Sequence, residues 1–410
     1  MKRILFFIFA LLSVICGLSQ VKYAPIDKRD LERAGRLLMQ ERFSGLLSAD
    51  NYLSIGFMDF GPVERFASYN PVEGVRLRLS GRTNPKFSKR FGFKWLLAYG
   101  TEDKKFKYGL SAGISLKRKP ASVYAFPANA LTLSYEDNTY MPNTANYDVL
   151  YYSFAPWRNY YLSYNRKISI TYLYELRSGL GFSPAVGLRN LYSNVYYDGE
   201  TSFETLDKDY SYLNAGMEIF FRPSRKRKNK KSLNSRLNEL PTNLSANYTH
   251  NFLLNDYRKS YGTVSFTISE RLFIGKRMAT DIMLKGGKII GNTNQGLYFT
   301  PMQSFGIISD TYGFNLLAFD KRFYRKEYIQ CFLQINSGGF FSDMIPFLKQ
   351  YRMNEFVYGK ALYGEYKPYY EIGMGVDNIL SCLGVEIIRS FSTEEDAHGG
   401  YWGCRLRLKY

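Results

Sequence analysis

Eight cations at alternate positions of extended runs are the first residues here that could do chemistry. In "GVRLRLSGR" and the residues around it, Arg76, Arg78 and Arg82 share one parity, and Val75, Leu77 and Leu79 take the other. In the terminal "YWGCRLRLKY", Arg405, Arg407 and Lys409 oppose Trp402, Cys404, Leu406, Leu408 and Tyr410. Lys94 and Lys107 stand on the polar side of "RFGFKWLLAY" and "FKYGLSAGISLK". Successive side chains of a strand point to opposite faces, so these eight cations form a basic cluster on one face of a sheet. Like charges brought that close repel unless acids or anions lie between them. Two arrangements meet that demand. One is a structural ladder with acids such as Glu371 and Glu386, or with a plug segment, inside a polar lumen. The other is a cationic constriction that favours anionic solutes.

A second basic run, "RPSRKRKNKK", contributes Arg222, Arg225, Lys226, Arg227, Lys228, Lys230 and Lys231. It reads as a solvated connection. The alternative is a contact with lipid or lipopolysaccharide phosphates, where each basic residue contributes about 1 kcal/mol at an anionic surface.

Hydrolytic chemistry would need a His general base beside a nucleophile or an activated water. The two histidines are His250, in "NYTHNF", and His398, in "EEDAHGG". Thr249 and Asn251 alternate away from His250 and cannot complete a site locally. No phosphate loop, nucleophile elbow or metal-type Cys/His cluster appears, so neither an enzyme nor a cofactor is expected. Of the four cysteines, Cys331, Cys382 and Cys404 would remain in a mature chain. An odd number at wide spacing is not a disulfide framework, although Cys382 and Cys404 could pair on neighbouring strands.

The elements that position these residues follow from periodicity. "MKRILFFIFALLSVICGLSQ" has a basic start, an apolar middle and small residues at Gly17 and Ser19. Residues 1–19 therefore read as a secretory signal cut after Ser19. In residues 20–50, Leu31, Ala34, Leu37 and Leu38 recur at helical spacing behind a candidate N-cap, Asp27. This predicts a short amphipathic periplasmic helix.

From residue 51 the period is two. Phe106, Tyr108, Leu110, Ala112, Ile114 and Leu116 face Lys107, Gly109, Ser111, Gly113, Ser115 and Lys117. "TVSFTIS" and "YYEIGMGV" repeat the pattern, and "GTEDKK", "KRKPAS" and "STEEDAHGG" punctuate it. No stretch after the signal approaches the roughly 18–20 apolar residues of a spanning helix. Yet aromatics make up 17% of the chain, with 36 Tyr and 31 Phe, at a mean hydropathy of −0.29. Strands with one lipid face and one wet face reconcile these values.

The expected fold is all-β: a transmembrane antiparallel β-barrel over residues 51–410, of about 14 strands within a range of about 12 to 16. In hydrocarbon every backbone polar group must be paired, so the last strand should pair with the first. That closure would set Arg76 and Arg78 near Arg405 and Arg407, with the carboxyl terminus in the periplasm.

"LSIGFMDFGPVERFASYNPVEGVRLRLSGRTN" with "FKYG", and "GGFFSDMIPFLKQYRMNE" with "PYYEIGMGVDNILSCLGVEIIR", resemble the two ends of an uncharacterised outer-membrane family of the Bacteroidetes. Its longer members carry a carboxypeptidase-regulatory-like domain ahead of the barrel. The region of about thirty residues before this barrel is too short for such a domain. The resemblance implies a barrel fold and an outer-membrane location, and it supplies no catalytic residues.

The formal charge of +19 would suggest nucleic acid in a cytosolic protein, but an exported chain meets other anions. The expected partners are outer-membrane lipid and lipopolysaccharide, the barrel-assembly machinery during biogenesis and a periplasmic protein. The leading expectation is a non-enzymatic passage or binding scaffold for small solutes, anionic ones included. An accessory barrel for moving or assembling lipids or polypeptides is the second reading, and a hydrolase acting through His250 is the third.

Overall fold

The computed structural model describes residues 52–62, 66–70, 72–140, 160–197, 202–204, 209–223, 242–254, 260–275, 277–293, 297–299, 312–317, 325–349, 353–364, 368–379, 383–392, 400 and 402–408. The expected signal segment and the helix of residues 20–50 lie outside them. The chain divides into two units, Met1–Ser54 and Ile55–Tyr410, and the second carries the sheet.

A short strand, β1 (Leu53–Ile55), stands at the boundary. Then come β2 (Met58–Phe60), β3 (Ala67–Asn70), β4 (Gly74–Thr83), β5 (Phe91–Gly100), β6 (Phe106–Ser115) and β7 (Asn129–Tyr140). The middle of the chain forms β8 (Tyr160–Glu175), β9 (Leu180–Tyr197), β10 (Ser202–Glu204), β11 (Tyr210–Phe221), β12 (Asn243–Leu253), β13 (Tyr261–Ile274) and β14 (Met278–Gly291). The last third forms β15 (Glu327–Asn336), a one-turn helix α1 (Pro346–Lys349), β16 (Asn354–Gly364), β17 (Tyr369–Ile379), β18 (Leu383–Ser392) and β19 (Trp402–Leu408).

Among the described residues, the eighteen strands β2 to β19 belong to one sheet, and every described register is antiparallel. The sequence-based figure of about 14 counted unbroken strands. Here β2 and β3 follow one another along the same edge of β4, and β10 and β11 along the same edge of β9. The described register of β19 is with β18, from Leu383↔Leu408 to Arg389↔Trp402. The expected seam between β19 and the first strands is not part of the described pairing.

The alternation read from the sequence is realised with its polarity inverted relative to a water-soluble sheet. On β4, Val75, Leu77 and Leu79 are 44%, 55% and 49% exposed, whereas Arg76 between them is fully buried. On β17, Ile372 and Met374 are exposed, while Glu371 is fully buried. Fifty-two large apolar side chains are exposed among the described residues. Leaving one such side chain in water forgoes about 1.5–3 kcal/mol relative to burial. The sheet therefore curls around its charged face and presents its apolar face outward.

Glycines on the inner face make room for rings. The Tyr358 side chain covers Gly373, and Phe356 covers Gly375. The register shifts between Val376 and Ile379, where Asn378 takes a positive φ of 65°. A left-handed residue is tolerated best by Gly, Asn or Asp, which accounts for an Asn in "VDNI".

Candidate functional site

Strand direction decides where the eight cations go. Antiparallel pairing sets the start of β4 at the same end of the sheet as the start of β19. Arg76 is near the start of β4 and Arg407 near the finish of β19, so the two stand at opposite ends. Among the described residues, Arg76 and Lys107 enter one network and Arg405 and Arg407 another, rather than one row.

The first network joins β4, β6, β7 and β8. Arg76 donates through Nη1 to Glu73 Oε1 at 2.6 Å and to Thr139 Oγ1 at 2.7 Å, and through Nη2 to Asn138 Oδ1 at 2.7 Å. Lys107, also buried, lies 2.9 Å from the same Glu73 oxygen and pairs with Asp103. The Tyr164 hydroxyl donates to Asp103 Oδ2 at 2.7 Å. Acids supplied by two connections thus neutralise two buried cations. Lower on β4, Arg82 pairs with Asp59 at 3.4 Å, and Arg78 Nε donates to Ser80 Oγ at 3.2 Å. Lys94 is exposed and stands over the Tyr124 ring, 5.1 Å from its centroid.

The second network holds a piece of chain. The connection between β14 and β15 sends Tyr312–Gly313–Phe314–Asn315–Leu316–Leu317 against the inner face of β14 to β19. Glu371 on β17 accepts the N–H of Asn315 at 2.9 Å with one carboxylate oxygen and that of Leu316 at 2.6 Å with the other. The Tyr369 hydroxyl donates to it as well, at 2.9 Å. Lys360 on β16 donates to the Gly313 carbonyl, and Arg405 on β19 donates to the Asn315 carbonyl at 2.6 Å. Asn315 Nδ2 donates to Glu386 Oε1 at 2.7 Å. Arg407 then lies 3.3 Å from Glu386 Oε2 and 3.2 Å from Asp377 Oδ1.

Register explains the grouping, because Lys360 faces Glu371 across β16–β17 and Glu386 faces Arg405 across β18–β19. Each hydrogen bond to a charged group contributes about 1.5–3 kcal/mol net. The side chains add apolar contact. Phe314 and Leu317 pack with Leu362 and Tyr369, and Leu316 packs with Met283, Phe332, Phe356, Tyr358 and Ile388. Leu316 also fills the space above Gly403, where any Cβ would collide with it.

What this arrangement does is mechanical and electrostatic. It pins a connection across the inner face by its own backbone, and it discharges Lys360, Arg405 and Arg407 against carbonyls and buried carboxylates. Glu371 and Glu386 were legible as inward acids. Glu73, Asp103, Lys360 and the held segment were not singled out. The signal for the segment was weak, because "FNLL" is one of several apolar stretches in this long connection, beside "GLYF" and "SFGII".

His250 stands in the outward row of β12. Its Nδ1 is 3.1 Å from the Tyr248 hydroxyl, and its ring lies 4.2 Å from that of Phe252. Cys331 and Cys404 are free and exposed in apolar rows. Lys409, His398, Cys382 and the run Arg225, Lys226, Arg227, Lys228, Lys230 and Lys231 lie outside the described residues.

Residues 54–376 match the model of the C-terminal domain of a family of unknown function, DUF5686. No curated protein matches the chain. Among solved structures it is similar to BamA from Haemophilus ducreyi lacking POTRA domains 1–3, at 10% identity and a TM-score of 0.47, over 85% of this chain and 70% of that one. It is also similar to CdiB from Acinetobacter baumannii, at 9% identity and a TM-score of 0.44, over 83% of this chain and 58% of that one. For CdiB from Escherichia coli the values are 10% and 0.45, over 82% and 60%. The chain thus spans less than two thirds of either CdiB.

Proposed function

The chain belongs to the DUF5686 family through its C-terminal domain, and from that premise we propose that it is an integral outer-membrane β-barrel acting without catalysis as a passage or binding scaffold for small solutes. Residues 1–19 direct export, and the eighteen strands fill sixteen positions once β2–β3 and β10–β11 are each taken as one. Sixteen is an even number, as bacterial barrels favour, and closure runs through β19 and β2–β3. The observation that carries this reading is the inversion of polarity, with apolar rows outside and Arg76, Glu371 and Glu386 fully buried within.

The passage is governed by the pinned residues 312–317. Any anion preference rests on Lys94, which is exposed, together with Arg78 and Arg82, which are half-buried. The partners are outer-membrane lipid and lipopolysaccharide, with the assembly machinery acting during biogenesis. Purified protein in a planar bilayer tests the idea. A small conductance that rises in Glu371→Ala supports a gated passage, and a barrel that stays sealed in both forms counts against it. Replacing Arg78 and Lys94 with Gln should lower any anion bias, and an unchanged bias sinks the electrostatic part.

One observation favours the second reading, an accessory barrel for lipid or polypeptide assembly with a periplasmic partner. Among the described residues, the strands at the two edges of the pairing are short. β19 has seven residues, and β2 and β3 have three and four, whereas β13 and β14 have fourteen each. A seam built from such short strands has few ladder hydrogen bonds. Lipid or polypeptide that copurifies with the barrel and is lost when the seam is cross-linked would favour this reading over the first.

A further inference from the structure

The connection from β15 to β16 is built the wrong way round for water. Gly338 and Gly339 take positive φ values of 63° and 83°, a conformation that side-chain-bearing residues resist, and so reverse the chain tightly. Its polar groups then turn inward. Ser342 N–H donates to Glu355 Oε1 at 2.7 Å, the Ser337 hydroxyl donates to the other Glu355 oxygen, and Gly338 N–H donates to Asn354 Oδ1 at 2.9 Å. Its apolar groups turn outward: Phe341, Met344 and Phe347 are 62%, 69% and 66% exposed, beside exposed Phe340 and Ile345.

A turn in water would bury those five side chains and solvate the serines and the acid. This one is also fastened sideways. Arg277, in the neighbouring β13–β14 turn, pairs with Asp343 at 3.1 Å, and the strand leading into that turn ends on exposed Leu272, Phe273 and Ile274. The β15–β16 turn thus prolongs the outward apolar row of β15 past its strand end, beside the apolar finish of β13, at the end of the sheet where β19 finishes. Exposed Lys349 closes α1 at the rim.

We propose that residues 339–349, with Leu272–Ile274, form an interfacial anchor whose occupant is the phospholipid of the periplasmic leaflet. The apolar side chains enter the acyl boundary, and Lys349 meets headgroup phosphate. Surface segments of this kind bury their apolar face about 5–10 Å into the headgroup and acyl boundary. Continuity with the lipid-facing rows selects lipid over a protein partner. The inference rests on the membrane-spanning reading and adds a fixed depth and tilt for the barrel.

Nitroxide labels test it in the full chain reconstituted in phosphatidylethanolamine–phosphatidylglycerol vesicles. The remaining cysteines are replaced by Ser, and Met344→Cys or Phe347→Cys carries the label, with Phe341→Cys as a further site where one variant fails to refold. Native Cys331, kept alone, reports the lipid-facing row. Collisions with lipid-soluble oxygen should exceed those with a water-soluble nickel chelate several-fold at residues 344 and 347, at shallower depth than at Cys331. Free access of the chelate to both turn positions, with Cys331 still favouring oxygen, overturns the anchor alone. Exclusion of both reagents from the turn means that protein covers it and overturns the proposal too. Chelate access at Cys331 itself removes the membrane-spanning reading together with the anchor.

Discussion

Glu371 holds Asn315 through the backbone: one carboxylate oxygen accepts the Asn315 N–H at 2.9 Å and the other takes the next N–H along, at 2.6 Å. Fifty-six positions separate the two residues in sequence. A side chain fully removed from solvent thus fixes the path of a distant connection, and it does so with contacts that do not depend on which side chains the connection carries.

Removing that carboxylate should free the segment. Deleting an acceptor so that buried N–H groups are left unpaired costs about 1–3 kcal/mol for each group. Glu371→Ala is expected to lower the unfolding midpoint of the detergent-solubilised barrel by a corresponding amount and to expose Tyr312–Leu317 to limited proteolysis. Unchanged protection of the segment would mean that its apolar contacts suffice.

Gly403 offers a gentler probe of the same segment. A Cβ there meets the Leu316 side chain, whereas a Cβ on Gly359 meets nothing within 4 Å. Gly403→Val should displace Leu316 and cost about 1–3 kcal/mol as an overpacking change. Gly359→Ala should be close to neutral in the same denaturation assay.

Arg76 and Glu73 form a buried pair at 2.6 Å, both almost wholly removed from solvent. Arg76→Met alone leaves Glu73 with Lys107 and removes the Arg76 bonds to Asn138 and Thr139, so destabilisation of about 3–5 kcal/mol is expected. The double variant Glu73→Met, Arg76→Met should recover part of that loss. A double-mutant cycle in urea measures the coupling, which is expected to exceed 1 kcal/mol for residues in direct contact.

Arg407 bridges Asp377 and Glu386 from a site that is 7% exposed, with its guanidinium 4.0 Å from the Phe356 ring centroid. Lysine lacks the planar fork that serves two acids and a ring at once. Arg407→Lys should therefore destabilise nearly as much as Arg407→Gln. Equal stability of Arg407→Lys and the parent protein, by thermal unfolding in detergent, would show that a point charge is enough.

Much of the architecture was legible in the residues. Val75, Leu77 and Leu79 against Arg76 and Arg78, or Ile372 and Met374 against Glu371, disclose a two-residue period, and that period fixes which side of a strand each residue takes. The parity of Arg405 and Arg407 was readable for the same reason. Their neighbours were not. Closure alone suggested that Arg76 and Arg407 would meet, yet strand direction sets them at opposite ends. The Tyr312–Leu317 insertion left no distinctive trace, because "FNLL" shares its connection with other apolar stretches such as "GLYF" and "SFGII".

The sequence by itself determined the faces, because alternation is a local property of the extended backbone and needs no knowledge of neighbours. Only the tertiary structure decided the partners: Glu73 for Arg76, Glu371 for the backbone of Asn315 and Leu316, and Asp377 for Arg407 across a bulge. Such pairings depend on register between strands and on the path of a long connection. Both are set by the summed hydrogen bonding and packing of residues far apart in the chain, which no window of sequence contains.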